Sequence, residues 1–150
     1  MRVGVLSDTH NLLRPRVLEL LAGCDRILHA GDVGELEILR QLERIAPVAA
    51  VRGNTDTGRA AAELPEELTG SLGGIEFGMI HRREDVPRDW PSRLQLVIFG
   101  HSHRPEMEWR GRCLLLNPGA CGARRFTLPL TLAIVTVVDG RLVPEIRVVE

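Results

Sequence analysis

Five short apolar runs, each followed by residues of the kinds that bind metals, constrain this chain more than any other feature of its sequence. The residues that follow them are Asp8 and His10, Asp32, Asn54, His81, and His101 and His103. In an open α/β sheet, ligands bind beyond the carboxyl ends of the strands. The sequence therefore predicts that these side chains meet at one edge of a sheet, where their number suits two metal ions better than one.

The first third of the chain alternates strand and helix patterns. Strands are predicted at 3–6, 27–29 and 48–51, and helices near 13–22 and 35–45, where apolar residues recur at helical spacing. This order predicts parallel strands joined by right-handed crossovers.

The rest of the chain has the pattern of paired strands. Gly73-Gly74, Gly111 and Asp139-Gly140 each separate two strand-like runs, as in β-hairpins. A buried strand is also predicted at 96–99, and the polar stretch 85–94 is predicted as a loop or a short helix. About ten strands are too many for one small sheet, so we expect two sheets packed face to face with helices outside.

Length, charge and composition are those of one globular domain, which we expect to span residues 1–150. The apolar content of 44% and the net charge of −1 are ordinary. Since no overall field attracts nucleic acid or an anionic membrane, we expect neither as a partner. The cysteines form no Cys-x-x-Cys pair, no charged-then-apolar leader is present, and no apolar stretch reaches the length of a membrane helix. These features predict a cytoplasmic protein.

Missing residue types exclude several kinds of phosphate chemistry. All 19 basic residues are arginine, so P-loop and Schiff-base mechanisms, which need lysine, are excluded. No cysteine is followed six residues later by arginine, as cysteine phosphatases require, and no Gly-x-Ser-x-Gly elbow is present. Asp8-Thr9-His10 lacks the second aspartate of aspartyl-phosphate enzymes.

Taken singly, most of the ligand signals have a structural explanation. Asp32 could cap the next helix, Asn54 could be a turn residue, and a lone histidine such as His81 is more often buried in a core. The strongest single signal is His101-Ser102-His103, because an exposed polar turn does not require two histidines. We interpret His29 as a packing residue or as a hydrogen-bond partner of a ligand.

Together the motifs resemble those of the metallophosphoesterase (calcineurin-like phosphoesterase) superfamily. The pattern is Asp-x-His at 8–10, Gly-Asp at 31–32, Gly-Asn-x-Asp at 53–56, a strand-end histidine at 81 and Gly-His-x-His at 100–103, in this order. With its Asn117-Pro118-Gly119 turn, the chain is similar to the small YfcE-type phosphodiesterase branch from about Arg2 to Arg125. The resemblance implies an α/β fold, a four-layer α/β/β/α sandwich of two mixed sheets flanked by helices.

The resemblance also implies two divalent metal ions that share one ligand. It assigns Asp8, His10, Asp32 and His103 to one ion, and Asp32, Asn54, His81 and His101 to the other. A carboxylate such as Asp32 can bridge two cations with its two oxygens. We expect Mn first, and Fe, Zn or Ni also tolerate this mixture of oxygen and nitrogen donors.

The implied function is hydrolysis of a phosphodiester bond of a small substrate through a metal-bridging hydroxide, with Asp32 and Asn54 as catalytic residues. Asn54 is also expected to bind the substrate phosphate. Two alternatives stay open: a non-catalytic protein-interaction scaffold of the same fold, like VPS29, and a nucleotide phosphatase or nuclease of the superfamily. A homo-oligomer is compatible with the sequence.

The chain departs from the superfamily pattern at Thr55, where many members carry a histidine that is a proposed general acid. The group that protonates the leaving oxygen is therefore unassigned, and we expect a bias toward leaving groups that are stable as anions. Asp56 is interpreted as orienting a ligand or holding its loop.

A second departure follows His81, where relatives usually continue with glycine. Arg82 and Arg83 stand there instead, and either bind substrate phosphate or pair with the acidic residues that follow them. Arg124 and its neighbour Arg125 are similar candidates for binding substrate.

Overall fold

Two five-stranded sheets form the framework of this computed structural model, which describes residues 1–125 and 127–150. The strands are β1 (Arg2–Leu6), β2 (Arg26–His29), β3 (Val48–Ala50), β4 (Glu67–Leu72), β5 (Ile75–Ile80), β6 (Leu96–Ile98), β7 (Glu106–Arg110), β8 (Cys113–Asn117), β9 (Thr131–Val138) and β10 (Arg141–Val148). The helices are α1 (Pro15–Leu21), α2 (Glu37–Glu43), α3 (Gly58–Glu63) and α4 (Trp90–Arg93).

The first sheet has the strand order β10-β9-β1-β2-β3. Strands β1, β2 and β3 are parallel, with Gly4 opposite Ile27 and Ile27 opposite Val48. Strand β9 is antiparallel to β1 and to β10. The sheet is therefore mixed, and its parallel half is the βαβαβ unit that the sequence pattern predicts.

The second sheet has the strand order β4-β5-β6-β8-β7. Its three central strands, β5, β6 and β8, are parallel, and the hairpin partners β4 and β7 form its antiparallel edges. His81 directly follows β5, and the His101-Ser102-His103 turn begins three residues after the end of β6, so both sheets deliver predicted ligands beyond carboxyl ends of strands.

Three apolar clusters separate four layers. One lies outside the first sheet, where Val17 of α1 and Leu42 of α2 are fully buried. The second fills the space between the sheets, around Val5, Leu28 and Met79 among others. The third lies outside the second sheet, where Trp90 of α4 packs with Val97 and Phe99. The predicted α/β/β/α sandwich of two mixed sheets is confirmed.

Helix α3 is the main element that the sequence prediction lacks. It has six residues between Gly58 and Pro65, and of these only Ala60 is buried. So short a segment presents no apolar periodicity, although its Arg-Ala-Ala-Ala-Glu sequence has high helix propensity. The predicted strands all form, and α1 and α2 are shorter than predicted.

Helices in the described part of the chain reach at most seven residues, and none of them is long and apolar enough to cross a membrane.

Candidate metal centre

Asp8, His10 and His103 form a first group of candidate metal ligands. One ligand atom of each lies within 4.8 Å of those of the other two. Nε2 of His10 lies 3.3 Å from Nε2 of His103, and Oδ1 of Asp8 lies 3.6 Å from the first nitrogen and 3.4 Å from the second. Two imidazole nitrogens and a carboxylate oxygen therefore face one small volume.

Asp32, His81 and His101 form a second group by the same distance criterion. Oδ1 of Asn54 lies 3.0 Å from Nε2 of His81 and 3.0 Å from Nδ1 of His101, which adds an amide oxygen to this group. The structure thus brings all seven predicted ligands together in two sets, and their binding of metal stays a prediction.

Asp32 joins the two groups through one oxygen. Its Oδ2 lies 3.6 Å from Nε2 of His10 and 3.2 Å from Nε2 of His81. Its Oδ1 instead accepts a hydrogen bond from the backbone N–H of Thr55 at 2.9 Å. One oxygen of Asp32 therefore faces both groups, while the backbone holds the other.

The carboxylate of Asp8 has one oxygen held by hydrogen bonds and one without a partner. Oδ2 accepts from the Ser7 hydroxyl at 2.7 Å and from the backbone N–H of His101 at 3.1 Å. Oδ1 is buried and has no hydrogen-bond partner among the described residues. A buried acceptor without a donor is costly, and a cation held by Asp8, His10 and His103 would satisfy it. The donor set, carboxylate and amide oxygens with imidazole nitrogens, fits divalent Mn, Fe, Zn or Ni.

His81 is held in the tautomer that a metal ligand requires. Its Nδ1 donates to the carbonyl oxygen of Ala30 at 2.7 Å. The proton is thereby placed on Nδ1, and the lone pair of Nε2 faces Asp32 and Asn54. A hydrogen bond from the second ring nitrogen is the usual way in which proteins orient a histidine ligand.

Five of the seven predicted ligands have backbone angles in the left-handed region, which residues with a Cβ atom seldom adopt. They are Asp8 (φ 56°), His10 (φ 45°), Asp32 (φ 55°), His101 (φ 71°) and His103 (φ 65°). Each such residue costs on the order of 1–2 kcal/mol. Strain of this kind collects at functional sites, where the surrounding structure enforces it.

Carboxylates and imidazoles in the centre favour one another's charged forms. Burial opposes ionisation of Asp8, but His10 and His103 outweigh it and hold the pKa of Asp8 well below its ordinary value. Burial likewise opposes charge on Asp32, and His81 with a backbone N–H keeps the pKa of Asp32 lowered. The Asp8 carboxylate raises the pKa of His10. Positive charge is therefore stabilised between two ionised carboxylates, which is the electrostatic condition for binding a divalent cation.

The pattern of ligands has a counterpart among known proteins. A model of the calcineurin-like phosphoesterase superfamily domain matches residues 1–140. The chain belongs to this superfamily. A probable metallophosphoesterase of Methanocaldococcus jannaschii is 33% identical over 96% of this chain and 81% of its own length. A phosphodiesterase of the same organism is 25% identical over 81% of this chain and 84% of its own length.

Solved structures of the same fold cover nearly the whole chain. An archaeal phosphodiesterase superposes with a TM-score of 0.82 at 23% identity, over 99% of each chain. Vps29 of Chaetomium thermophilum superposes with a TM-score of 0.78 at 18% identity, over 99% of this chain and 96% of that one. At these identities the likeness shows the fold alone, and it agrees with the predicted metallophosphoesterase architecture.

In this phosphoesterase domain, Asp56 ties together two of the ligand-bearing loops. Its carboxylate accepts backbone N–H bonds from Val33 at 3.2 Å, Gly34 at 3.1 Å and Gly53 at 2.8 Å. The first two donors follow Asp32 and the third precedes Asn54. The interpretation of Asp56 as a residue that holds its loop agrees with these contacts.

Asn117 supports the His101-Ser102-His103 turn in the same manner. Its amide donates to the carbonyl oxygen of Gly100 and to the Ser102 hydroxyl, both at 3.1 Å, and its side chain is fully buried. The chain has only three asparagines, Asn11, Asn54 and Asn117, and this rarity is the sequence signal for a specific role of Asn117.

His29 lies beneath the centre and is fully buried. The backbone N–H of Gly31 donates to its Nδ1 at 3.2 Å, so Nε2 carries the proton and donates to the Thr9 hydroxyl at 3.0 Å. Thr9 then donates to the carbonyl oxygen of Val33 at 2.7 Å. Because Thr9 stands between Asp8 and His10, this chain of hydrogen bonds fixes the turn that carries both ligands.

Glycine is required before Asn54 and His101 because the loops pack too closely for a side chain. A Cβ atom on Gly53 would lie 2.1 Å from Oδ1 of Asp32, and one on Gly100 would lie 2.1 Å from the Ser7 hydroxyl. Gly53 thus packs against the loop after β2 of its own sheet, and Gly100 packs against the end of β1 in the other sheet.

The arginines after His81 have separate environments. Arg83 binds Glu106 at 2.7 Å and Glu108 at 3.0 Å, and its guanidinium lies over the Phe99 ring. Its acidic partners are therefore on β7 rather than directly after it in sequence. Arg82 lies 4.0 Å from Glu84 and is partly exposed.

Two cavities flank the turn at Asn54 and Thr55. One, of about 330 Å³, is lined by Asn54, His81 and Arg82 among others. The other, of about 470 Å³, is lined by Thr55 and by residues that include Asn11, next to His10. The first cavity thus opens directly onto two predicted ligands and onto Arg82, and the second adjoins the turn on its Thr55 side.

Arg124 and Arg125, the second pair of arginines predicted to bind substrate, lie in different surroundings. Asp8 raises the pKa of His10 and the positive charge of Arg125 opposes that shift, which places Arg125 within electrostatic reach of the centre. Arg124 is exposed and makes no ion pair with the described residues. Substrate binding by Arg124 stays a prediction.

Substitutions at His101 should show how much its left-handed backbone angle lowers the free energy of unfolding. In metal-free protein, His101→Gly should be about 1 kcal/mol more stable than His101→Ala, because glycine adopts φ near 71° without the Cβ clash. Urea unfolding with a chelator present measures both free energies. Asn54, whose φ is not positive, is the matched control, and there alanine should be the more stable substitution. An alanine variant at His101 as stable as the glycine variant contradicts the strain.

Burial of His29 should make stability depend on pH. Burial lowers the pKa of His29 to about 4 from its ordinary 6.5. Between these values the unfolded chain binds a proton that the folded protein does not, so stability falls as pH falls through this window, by up to about 3 kcal/mol. Urea unfolding of metal-free protein at several pH values should show that His29→Gln lacks this part of the loss. A difference between the two proteins that stays constant with pH contradicts the assignment.

Proposed function

We propose that this protein is a dinuclear metal-dependent phosphodiesterase that acts on a small phosphodiester. The observation that carries the proposal is the position of Asp32 Oδ2, 3.6 Å from Nε2 of His10 and 3.2 Å from Nε2 of His81. A single carboxylate oxygen between two histidine-containing groups is the arrangement expected when two cations share a ligand. The residues present thus fit the metals that superfamily members generally bind.

In this proposal the two sites divide the seven ligands with Asp32 in common. Asp8, His10 and His103 would hold one ion with Asp32, and Asn54, His81 and His101 would hold the other. Divalent ions at these positions would supply Lewis acidity, lowering the pKa of water and neutralising phosphate charge. Mn is the first expectation, with Fe, Zn or Ni as alternatives.

The chain's own residues would orient the phosphate. Asn54 turns its carbonyl oxygen toward His81 and His101, which leaves its NH₂ group as a donor to a phosphate oxygen. Arg82 lines the cavity beside Asn54 and can hold a second phosphate oxygen by a charge-assisted hydrogen bond. Arg124 and Arg125 would add positive charge on the opposite flank, beside His10.

The two cavities favour a diester over a monoester. A phosphodiester carries two organic substituents, and space exists both at Asn54 and Arg82 and at Thr55 and Asn11. A substrate whose phosphate lay at the centre could place one substituent on each side of the Asn54-Thr55 turn. The phosphodiesterase relative at 25% identity supports the same choice.

The fold alone does not decide between catalysis and scaffolding, because Vps29 is among the structural neighbours. The full set of ligands and the unpartnered Oδ1 of Asp8 favour catalysis. A nucleotide phosphatase or nuclease uses the same centre and differs only in substrate. The net charge of −1 favours a small substrate over nucleic acid, and a cytoplasmic location stays part of the proposal.

Hydrolysis with defined metals tests the function. Protein stripped by a chelator should not hydrolyse bis(p-nitrophenyl) phosphate, and adding Mn²⁺ should restore turnover, with p-nitrophenyl phosphate a poorer substrate. Elemental analysis should find two ions per chain in the active form. A chain that holds two ions yet hydrolyses neither compound with Mn, Fe, Zn or Ni is a scaffold, and a preference for the monoester favours the nucleotide phosphatase.

Asp32→Asn should lower metal occupancy at both sites, because the neutral amide bridges two cations poorly. Elemental analysis and calorimetric titration with Mn²⁺ measure occupancy and affinity. The matched control is Asp85→Asn, which removes the same charge from the cavity beside His81 without removing a proposed ligand, and it should keep both ions. Loss of only one ion in Asp32→Asn contradicts the shared ligand.

Leaving-group dependence should follow from threonine at position 55. With no imidazole there to donate a proton, aryl diesters should react much faster than alkyl diesters, and Thr55→His should narrow the gap by as much as about 100-fold. Rates across a series of leaving groups measure the effect, with Thr55→Gln as the control for side-chain size. Equal rates on aryl and alkyl diesters in the natural protein contradict the missing-acid interpretation.

A further inference from the structure

Strand β7, at the edge of the second sheet, carries two large apolar side chains that the rest of the chain leaves exposed. Met107 is 48% exposed and Trp109 is 51% exposed. Both belong to a strand paired on one side only, with β8. An edge strand with exposed apolar side chains is a template for pairing with another strand.

Met107 and Trp109 lie on the inner face of their sheet. Met107 is opposite Leu116 and Trp109 is opposite Leu114, and both leucines belong to the cluster between the two sheets. Directly opposed residues of paired strands point to the same face. The inner apolar face therefore continues onto β7, where the chain itself does not cover it.

The space beside Trp109 is open. A cavity of about 830 Å³ is lined by Trp109, Ile75 and Leu142 among others. Leu142 and Ile146 of β10 face the same space between the sheets and are only partly buried. The sandwich is thus unfilled along its β7–β10 side, where apolar side chains lie beside the polar Gln95, Arg112 and Arg141.

The other sheet edges are less suited to pairing. Strand β10 contains Pro144, which cannot donate to a neighbouring strand. Strand β3 has three residues. Strand β4 includes Gly70, and its exposed residues, Glu67, Thr69 and Ser71, are all polar. Among the four edges, β7 alone combines five residues, no proline and large exposed apolar side chains.

We propose that β7 is the interface of a homodimer, in which β7 pairs antiparallel with β7 of a second copy about a two-fold axis at Glu108. The sequence Glu106-Met107-Glu108-Trp109-Arg110 is self-complementary in this register. Glu106 lies opposite Arg110 of the second copy, and Met107 lies opposite its Trp109. Opposite charges and sulfur–aromatic contacts both stabilise cross-strand pairs.

Repulsion at the axis, where the two Glu108 residues meet, is reduced by contacts already present in each copy. Oε2 of Glu108 lies 3.0 Å from Arg83 and 2.9 Å from Arg110. Each Glu108 therefore approaches the axis as part of an ion pair. Such a two-fold interface is the commonest form of soluble homo-oligomer.

The proposed dimer leaves both metal centres accessible. Strand β7 begins close to the centre, because Glu106 follows His103 by three residues, and it runs away from it toward Arg110. Antiparallel pairing therefore places the two centres toward opposite ends of a joined ten-stranded sheet. Activity per chain is expected to be independent of dimerisation.

Analytical ultracentrifugation over a range of concentrations tests the proposal. The natural protein should sediment as a dimer, and Trp109→Lys should weaken association by at least about 30-fold. The matched control is Val143→Lys, since Val143 is 58% exposed on β10 outside the proposed interface, and it should associate like the natural protein. Circular dichroism of all three establishes that each is folded. A monomer at every concentration, or dissociation by Val143→Lys but not by Trp109→Lys, overturns the proposal.

A charge exchange tests the register itself. Glu106→Arg and Arg110→Glu should each weaken self-association, because each places like charges opposite one another twice. An equimolar mixture of the two variants should form a heterodimer, in which arginine again faces glutamate at both positions. Fluorescence gives a second readout, since Trp90 is buried and a blue shift on association would come from Trp109. Equal self-association of the single variants and the natural protein, or no heterodimer in the mixture, overturns the register.

Discussion

Two ionised carboxylates buried among four imidazole rings are the constraint on which the centre depends. Asp8 is fully buried and Asp32 is 2% exposed, and a buried carboxylate is stable only beside positive charge or donors. One oxygen of each carboxylate accepts hydrogen bonds. The donors are the Ser7 hydroxyl and a backbone N–H for Asp8, and a backbone N–H for Asp32. The other oxygen of each carboxylate is thus left facing the imidazole nitrogens of the histidines rather than a hydrogen-bond donor of the backbone.

Holding these carboxylates in place requires strained turns, and the two sheets supply the rigidity that the turns need. Five ligands adopt left-handed backbone angles, which the packed cores on both sides enforce. Side chains away from the ligands complete the support. Asp56 clamps the loops after β2 and β3, Asn117 holds the turn after β6, and His29 with Thr9 holds the turn after β1. The strain is therefore local, while the elements that oppose it extend through the whole fold.

The fold of this chain does not by itself identify its chemistry. Structures with TM-scores of 0.82 and 0.78 carry the names of a phosphodiesterase and of Vps29, so the sandwich itself does not specify a reaction. The chemistry of this chain has to be argued instead from its donor set at the carboxyl ends of the strands. The open β7 edge lies on a different part of the same scaffold, which allows association and chemistry to be separate properties of one domain.

The order of the motifs and the pattern of apolar residues were enough to predict most of the fold and the seven candidate metal ligands. The ligands follow apolar runs, and the carboxyl ends of neighbouring parallel strands meet within a sheet, so the sequence predicts one set of ligands from each sheet. Packing of the two sheets face to face then brings the two sets together. Helix α3 escaped prediction because six residues with one buried position show no periodicity. The ion pairs of Arg83 with Glu106 and Glu108 of β7 were not predicted. These residues lie 23 and 25 positions after Arg83, so the contacts depend on the order of strands in the sheet rather than on local sequence.

Only the tertiary structure decided how the ligands are oriented and what holds them. Which oxygen of Asp32 faces both histidine groups depends on the Thr55 N–H, and the tautomer of His81 depends on the carbonyl of Ala30. These are distances between atoms on different loops, and no spacing along the chain encodes them. The sequence by itself therefore determined which side chains gather and at which edge, because periodicity and strand ends are local properties. Their geometry, charge state and supporting contacts come from the packing of two sheets against each other.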